Sequence, residues 1–398
     1  MGLLLYALNI SILLFFLTAK TFGLATLFLF AGLLAAAGER QLQERFESGD
    51  LRFLVAGILT ALSAQVRLYF VVAAPIMVLW LWRYRGGSRR FPWLFCAGFA
   101  VGSLPSLFFL VLAPRQFIFD NLIYHSVRNP FGLIAELDQK LAVAKQLFFG
   151  AGRWRPTQFS MLFAGMASSL FLWKRVSGTA KAAAALSFAL GIVSILPTPT
   201  FGQYFCVLVP FLIISFIGSV DALARALRDP LYQRAAWILF LLFSIAYAGW
   251  SVSRIESVFI NAKAAPGSDS RTDPFDWRIG TVERVSELVK NSARPDDLVV
   301  SVWPGYLLTA ERRLYPGMEN QYGVESSTRI PREKAALYRI LRADEIPKAV
   351  ADPATGVVVI DNWSGPGIAP TRQSLATSYE SAGQIGNTEV FLRVRSRE

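Results

Sequence analysis

The chain has few of the residues that carry most enzyme chemistry. Among 398 residues there are two cysteines, Cys96 and Cys206, and one histidine, His125. Both cysteines lie in apolar stretches, so no disulfide framework is expected, and a single imidazole excludes a histidine-rich metal centre. Acids are scarce in the first part: none precedes Glu39, and residues 1–253 hold 9 Asp and Glu against 21 Lys and Arg. Residues 254–398 balance, with 19 of each sign. The net charge of +12 thus belongs to the first part, where it reads as a topology signal and as contact with anionic lipids, not as a nucleic-acid footprint. No phosphate-binding glycine loop is present; Gly365-Pro366-Gly367 is a turn signal. Met1 opens directly on an apolar stretch, with no basic region or small-residue cleavage site after it, so no cleavable signal peptide is expected.

What the chain does have is hydrocarbon. Apolar residues make up 54% of it and mean hydropathy is +0.41, too greasy for a soluble protein of this length. The expected fold class is a polytopic α-helical membrane protein with a small α/β extracytoplasmic C-terminal domain. A helix needs roughly 20 apolar residues to cross a bilayer. The candidate crossings are 2–18, 21–37, 51–65, 68–82, 93–113, 157–173, 182–197, 201–219 and 235–253, followed by a linker at 254–274 and a soluble domain at 275–398.

Orientation follows from the cations. Arg40, Arg45, Arg83, Arg85, Arg89, Arg90, Lys174, Arg175, Lys181, Arg225, Arg228 and Arg234 collect in the loops 38–50, 83–92, 174–181 and 220–234, which places those loops in the cytoplasm. Residues 51–82 must then enter and return, as two short crossings or a re-entrant hairpin turning near Ala64 to Tyr69. About nine crossings give a cytoplasmic amino terminus and an external carboxy-terminal domain, in a bacterial inner membrane. Two features strain this topology. The outside loop 114–156 carries six cations, Arg115, Arg128, Lys140, Lys145, Arg153 and Arg155, against three acids. Arg67 sits at the turn of the 51–82 hairpin, and an ionisable group at membrane depth normally faces a polar cavity; the alternative is a cation snorkelling to the interface.

After the linker the pattern changes to alternating helix and strand. Residues 277–292 have apolar positions at helical spacing, and 331–341 form a second expected helix. Leu298 to Trp303 and Gly356 to Asp361 read as buried strands, and Ser378 to Val394 as a hairpin turning at Gly386–Asn387. Asn362-Trp363-Ser364 fits a glycosylation triplet by chance.

The order of these parts is similar to that of a known superfamily. Residues 54–69, LVAGILTALSAQVRLY, resemble the "aGlllGLaaltR" hairpin of GT-C membrane glycosyltransferases, closest to the bacterial protein-mannosyltransferase-like and aminoarabinose-transferase-like branch. Phe117 to Phe131, with Asn121, Tyr124, His125 and Arg128, resembles that branch's outside loop after the seventh crossing. Gln203-Tyr204 leading to Pro210 resembles its "Y…lP" helix, and Trp303 to Tyr306, Arg312 and Glu319-Asn320-Gln321 resemble its periplasmic domain.

The resemblance implies transfer of a sugar from a polyprenyl-phosphate donor to a lipid, glycan or protein acceptor on the outer face of the membrane. It implies inversion assisted by a carboxylate in the first outside loop, often with a divalent metal. The crossings here align with the family's third onward, so that loop and its carboxylate are expected to be missing. A non-catalytic relative, a pseudoenzyme or scaffold binding lipid-linked sugar, is therefore the alternative. A transporter fares worse, because the assigned crossings contain no Asp or Glu.

The leaving group of such a transfer is a lipid phosphate, and the fixed donor fork of arginine fits phosphate oxygens. Arg67, Arg128, Arg153 and Arg155 are the candidate phosphate ligands, set against their reading as solvated cations. Tyr69, Tyr124, His125, Gln203 and Tyr204 are the candidate sugar or donor contacts, set against aromatic-belt and interfacial roles. Asp120, Glu136 and Asp138 are the outside carboxylates available to replace a base. Residues 133–149 are amphipathic and are expected to lie along the interface, where they can gate lipid entry. Trp303, Tyr306 and Glu319-Asn320 either cover the cavity or belong to a folded core.

Overall fold

The computed structural model describes residues 1–16, 21–38, 50–84, 90–127, 132–150, 157–255, 279–361, 370 and 372–395. The chain forms two compact units, Met1–Leu112 with Asn129–Glu256, and Ala113–Arg128 with Ser257–Glu398.

The described elements of the first unit are all helical. Three helices, Gly178–Ile195, Gly202–Ala226 and Pro230–Val252, are long and apolar enough to cross a membrane; a fourth span exists if the bent pair Arg90–Gly102 and Leu104–Leu112 counts as one. Thr21–Ala37, Leu51–Val66, Leu68–Arg83 and Gln158–Phe171 are apolar but shorter. The nine runs expected from hydropathy differ from these helices because several runs are interrupted. Residues 2–18 split into Gly2–Ala7 and Ile10–Phe16. The Arg90–Leu112 run bends by 44° just before Pro105, whose ring cannot continue a helical ladder. The Gln65 amide caps this bend, donating to the Gly102 carbonyl at 2.9 Å.

Close helix approach comes from small residues. A Cβ at Gly57 would run into the Phe95 carbonyl, and one at Gly98 into the Leu54 carbonyl, so the Leu51–Val66 and Arg90–Gly102 helices touch backbone to backbone. The buried Ser63 hydroxyl donates to the Ala25 carbonyl at 2.7 Å, joining the first of these to Thr21–Ala37. On the outside, Leu107, Phe108, Phe109 and Val111 of one helix and Ile238, Leu239, Leu242 and Ile245 of another stand exposed, more apolar surface than water tolerates.

The break at Leu8–Asn9 is satisfied by side chains that arrive much later in the chain. Buried Gln158 accepts from the Ile10 amide at 2.9 Å and donates to the Leu8 carbonyl at 3.0 Å. Ser251 also donates to the Leu8 carbonyl, and Asn9 donates to the Tyr247 hydroxyl at 2.6 Å. Unpaired backbone groups at apolar depth are costly, and this network satisfies the Leu8 carbonyl and the Ile10 amide at the break.

The second unit is built on a five-stranded mixed sheet ordered β2-β1-β3-β5-β4, with β1 Leu298–Ser301, β2 Arg313–Leu314, β3 Thr355–Ile360, β4 Tyr379–Ile385 and β5 Thr388–Arg393. β1 runs parallel to β2 and β3, whereas β3–β5 and β5–β4 are antiparallel. Alternation along β3 sends Val357 and Val359 to one face, against Val285 and Val289 of the Ile279–Ser292 helix, and Val358 to the other. The hairpin turns at Gly386, with φ of 59°. The expected 331–341 helix is cut to Arg332–Leu337, because Arg339 takes the left-handed conformation. Tyr306 is fully buried and hydrogen-bonds Thr388 at 2.9 Å, a core position. Arg312 caps the end of the Ile279–Ser292 helix through the Lys290 and Ala293 carbonyls at 2.7 and 2.8 Å.

Residues 114–128 were expected to belong to a loop of the helical part. Instead, Phe119 stacks on Tyr338 with ring centroids 4.4 Å apart, and Phe119 and Tyr124 enter the core of the second unit beside Val324, Ile346 and Val358. Asn362 lies outside the described residues.

Candidate functional site

The local sequence explains why the chain breaks at Arg67. The Leu51–Val66 helix ends there with φ −149° and ψ 110°, and a short tight helix, Leu68–Val72, resumes the path into Ala73–Tyr84. Leu68 to Val72 contains two valines and two aromatics, which suit an extended or tight conformation better than a regular α-helix. The interruption points the Arg67 side chain at the start of the Thr21–Ala37 helix.

There the guanidinium carbon lies 3.5 Å from the centroid of the buried Phe22 ring. Nε donates to the Thr21 hydroxyl at 2.8 Å. Among the described residues Arg67 makes no ion pair. The Phe22 ring in turn meets Tyr204 at 6.0 Å, and Ser194 donates to the Tyr204 carbonyl at 2.9 Å, fixing the Gly202–Leu208 turn. The buried Tyr69 hydroxyl is close enough to interact electrostatically with Arg67, Tyr204 and Cys206, yet it finds no partner of hydrogen-bond geometry. Arg67, Tyr69 and Tyr204 are thereby brought together. Gln203 precedes Tyr204 on the same turn, and its carbonyl accepts from the Cys206 thiol at 2.8 Å.

This arrangement is a cation site with one face and one donor already committed. The Phe22 ring holds the guanidinium, Thr21 holds Nε, and the Tyr69 hydroxyl lies beside the group; the donor fork of arginine is one that suits an oxyanion. A cation–π contact at a half-buried site is worth about 0.5–1 kcal/mol, which helps hold the charge in place. Thr21 and Phe22 were not singled out from sequence. A Thr-Phe pair at the head of an apolar helix signals nothing until the fold sets an arginine over it.

The other candidate residues are distributed elsewhere. Tyr124 and His125 belong to the second unit, with ring centroids 5.4 Å apart. Arg128, Arg153 and Arg155 lie outside the described residues. Of the three carboxylates, Glu136 pairs with Lys140 and accepts from the Thr198 hydroxyl, while Asp138 is exposed. Asp120 accepts from the Asn320 amide at 2.7 Å; its surroundings push its carboxyl above the ordinary carboxylate value, with the Asn320 bond opposing.

The Gly132–Phe149 helix carries polar groups inward and apolar ones outward over its first half. Gln139 exchanges two hydrogen bonds with Thr200, at 2.9 and 3.0 Å, and Lys140 reaches the Leu196 carbonyl at 3.2 Å. Ile134, Leu137 and Leu141 stand exposed, which suits a helix at an apolar interface. Among the described residues no group of three or more His, Cys, Asp or Glu side chains is placed to hold a metal ion.

Compared with known proteins, the chain matches no family model and no curated protein.

Proposed function

We propose that the chain is a polytopic membrane protein of a bacterial inner membrane that binds a polyprenyl phosphate and transfers the attached sugar to an acceptor on the outer face. The observation that carries this reading is Arg67, an arginine without an ion pair among the described residues, held by Phe22 and Thr21 at a helix break between apolar helices. An arginine so placed can meet an anion. The surrounding hydrocarbon favours an anion that arrives on a lipid, and a lipid phosphate is also the leaving group of the reaction expected from the resemblance. Under this reading the terminal guanidinium nitrogens neutralise charge as it develops on the departing phosphate, while Tyr69 and Tyr204 supply phenolic groups beside it.

A second reading, a non-catalytic relative that holds lipid-linked sugar without transferring it, is favoured by the state of Glu136. Its carboxylate is occupied by Lys140 and Thr198, so it is not poised to take a proton from an acceptor. Both readings require lipid-phosphate binding and differ in turnover.

The full chain, reconstituted in nanodiscs, is expected to bind a long-chain polyprenyl phosphate, and Arg67→Gln is expected to weaken binding by about tenfold or more, the cost of a charge-assisted bond at 1.5–3 kcal/mol. Unchanged affinity in the variant overturns the assignment. Release of labelled sugar from polyprenyl-phosphate donors by the wild-type chain separates the enzyme from the non-catalytic relative.

A further inference from the structure

Within the second unit, the helical segment Ala113–Arg128 lies along residues 319–329, and three contacts follow one another down this seam. Asp120 accepts from the Asn320 amide at 2.7 Å, the rings of Tyr124 and Tyr322 lie 5.9 Å apart, and Arg329 donates to the Val127 carbonyl at 3.0 Å. Phe119 and Tyr124 anchor the segment in the core of the unit, so the polar side chains beside them stand on a fixed backbone.

Hydrogen-bonding capacity is left over at one point of the seam. Asn320 spends its side-chain oxygen on the Gly323 amide at 2.9 Å and one of its two N–H groups on Asp120, which leaves the other N–H. Asp120 is exposed and accepts through Oδ1, which leaves Oδ2. Gln321, next in the chain, is only 9% exposed, yet its side-chain amide makes no hydrogen bond among the described residues; amides so buried are rarely left without one. Beside these groups stands Tyr322, 42% exposed, with Tyr124 behind its ring. A carboxylate oxygen, amide groups and an exposed aromatic ring at one place suit a sugar, because each pyranose hydroxyl both gives and takes a hydrogen bond and the C–H groups of the ring face pack on an aromatic plane. The carboxylate at the same place repels a phosphate, so the ligand that fits is an uncharged sugar.

We propose that Asp120, Asn320, Gln321 and Tyr322 form a carbohydrate-binding site on the second unit, for an uncharged pyranose of a glycan. Asp120 Oδ2 and the remaining Asn320 N–H take neighbouring hydroxyls, the Gln321 amide takes a third, and the Tyr322 ring carries the apolar face of the sugar. The site does not draw on Arg67. Its ligand carries no phosphate, so either reading can fail while the other stands.

The test uses the full chain in nanodiscs and saturation-transfer NMR with the methyl pyranosides of glucose, galactose, mannose and N-acetylglucosamine, with tetra-alanine as the peptide control. At least one pyranoside is expected to bind, and tetra-alanine is not. Asp120→Asn removes the charged acceptor while keeping the shape, and is expected to weaken the bound pyranoside about tenfold. Gln321→Leu and Tyr322→Ser are expected to weaken it about three- to tenfold each. Leu308→Ser, at an exposed leucine of the same unit, is expected to leave affinity within about twofold. Binding by none of the four pyranosides, binding that all three site variants leave unchanged, or preference for tetra-alanine overturns the proposal. A second measurement needs no variant to fold. Saturating pyranoside is expected to slow hydrogen exchange of the wild-type chain in residues 116–124 and 319–325, and protection confined to other segments overturns the proposal.

Discussion

The Arg67 guanidinium carbon lies 3.5 Å from the centroid of the Phe22 ring, while Nε donates to the Thr21 hydroxyl. A lysine at this position keeps the charge but loses both the planar stack and the edge donor. Arg67→Lys is therefore expected to fold normally and to bind long-chain polyprenyl phosphate about tenfold more weakly, measured by titration in nanodiscs. Wild-type affinity in the lysine variant would show that charge alone suffices.

Gln158 is the principal tie across the break in the first helix, serving both the Ile10 amide and the Leu8 carbonyl. Gln158→Leu preserves volume but leaves the Ile10 amide unpaired in the core, at a cost of about 1–3 kcal/mol. The expected result is a lower thermal midpoint in detergent and faster hydrogen exchange in residues 1–16, with exchange in the second unit unchanged.

Gly57 and Gly98 allow two helices to meet at their backbones. Gly98→Leu must push them apart, and overpacking costs about 1–3 kcal/mol or more where backbone is the obstacle. The variant is expected to lose yield and thermal stability in detergent, whereas Gly249→Leu, at a glycine with open space around it, is expected to be silent.

Asp344 and Asp120 oppose each other in acid. Arg332 and Arg342 hold the Asp344 carboxyl down to about 2 from its ordinary 3.8, so its contribution to stability is full above the ordinary value and is lost as pH falls toward about 2. Asp120 is raised by its surroundings, so the folded state prefers it protonated and its contribution declines as pH rises through the carboxylate range. Asp344→Asn is expected to flatten the acid loss of protection in residues 327–344, and Asp120→Asn to remove the opposite trend near 113–128, both read by hydrogen exchange at pH 2 to 6.

Much of the helical unit was legible because apolar run length is a strong signal. The turn at Ala64 to Tyr69 was legible too, but Asn9 and Pro105 interrupt runs that hydropathy reads as continuous, and long-range partners such as Gln158 make the first of these breaks tolerable. In the second unit, β1, β3 and the hairpin announced themselves by apolar runs and the Gly386–Asn387 turn. β2, with two residues, is too short for any periodicity, and sheet order is set by contacts that no local pattern encodes. The site was half legible. An arginine inside an apolar run draws attention unaided, but its stacking partner is 45 positions away in the chain and ordinary in its own context. The packing of Phe119 and Tyr124 into the core of the second unit carries no local signal, because both look like any interfacial aromatics.

Asn9 and Tyr247 are joined although 238 residues separate them. At synthesis rates of about 5–20 residues per second, Tyr247 emerges roughly 10–50 s after Asn9. Gln158 becomes available before Tyr247 and Ser251, so the break at Leu8–Asn9 is held in part first and completed only when those two arrive. Chains stalled before residue 247 should consequently leave residues 8–10 more open to hydrogen exchange than the full chain does.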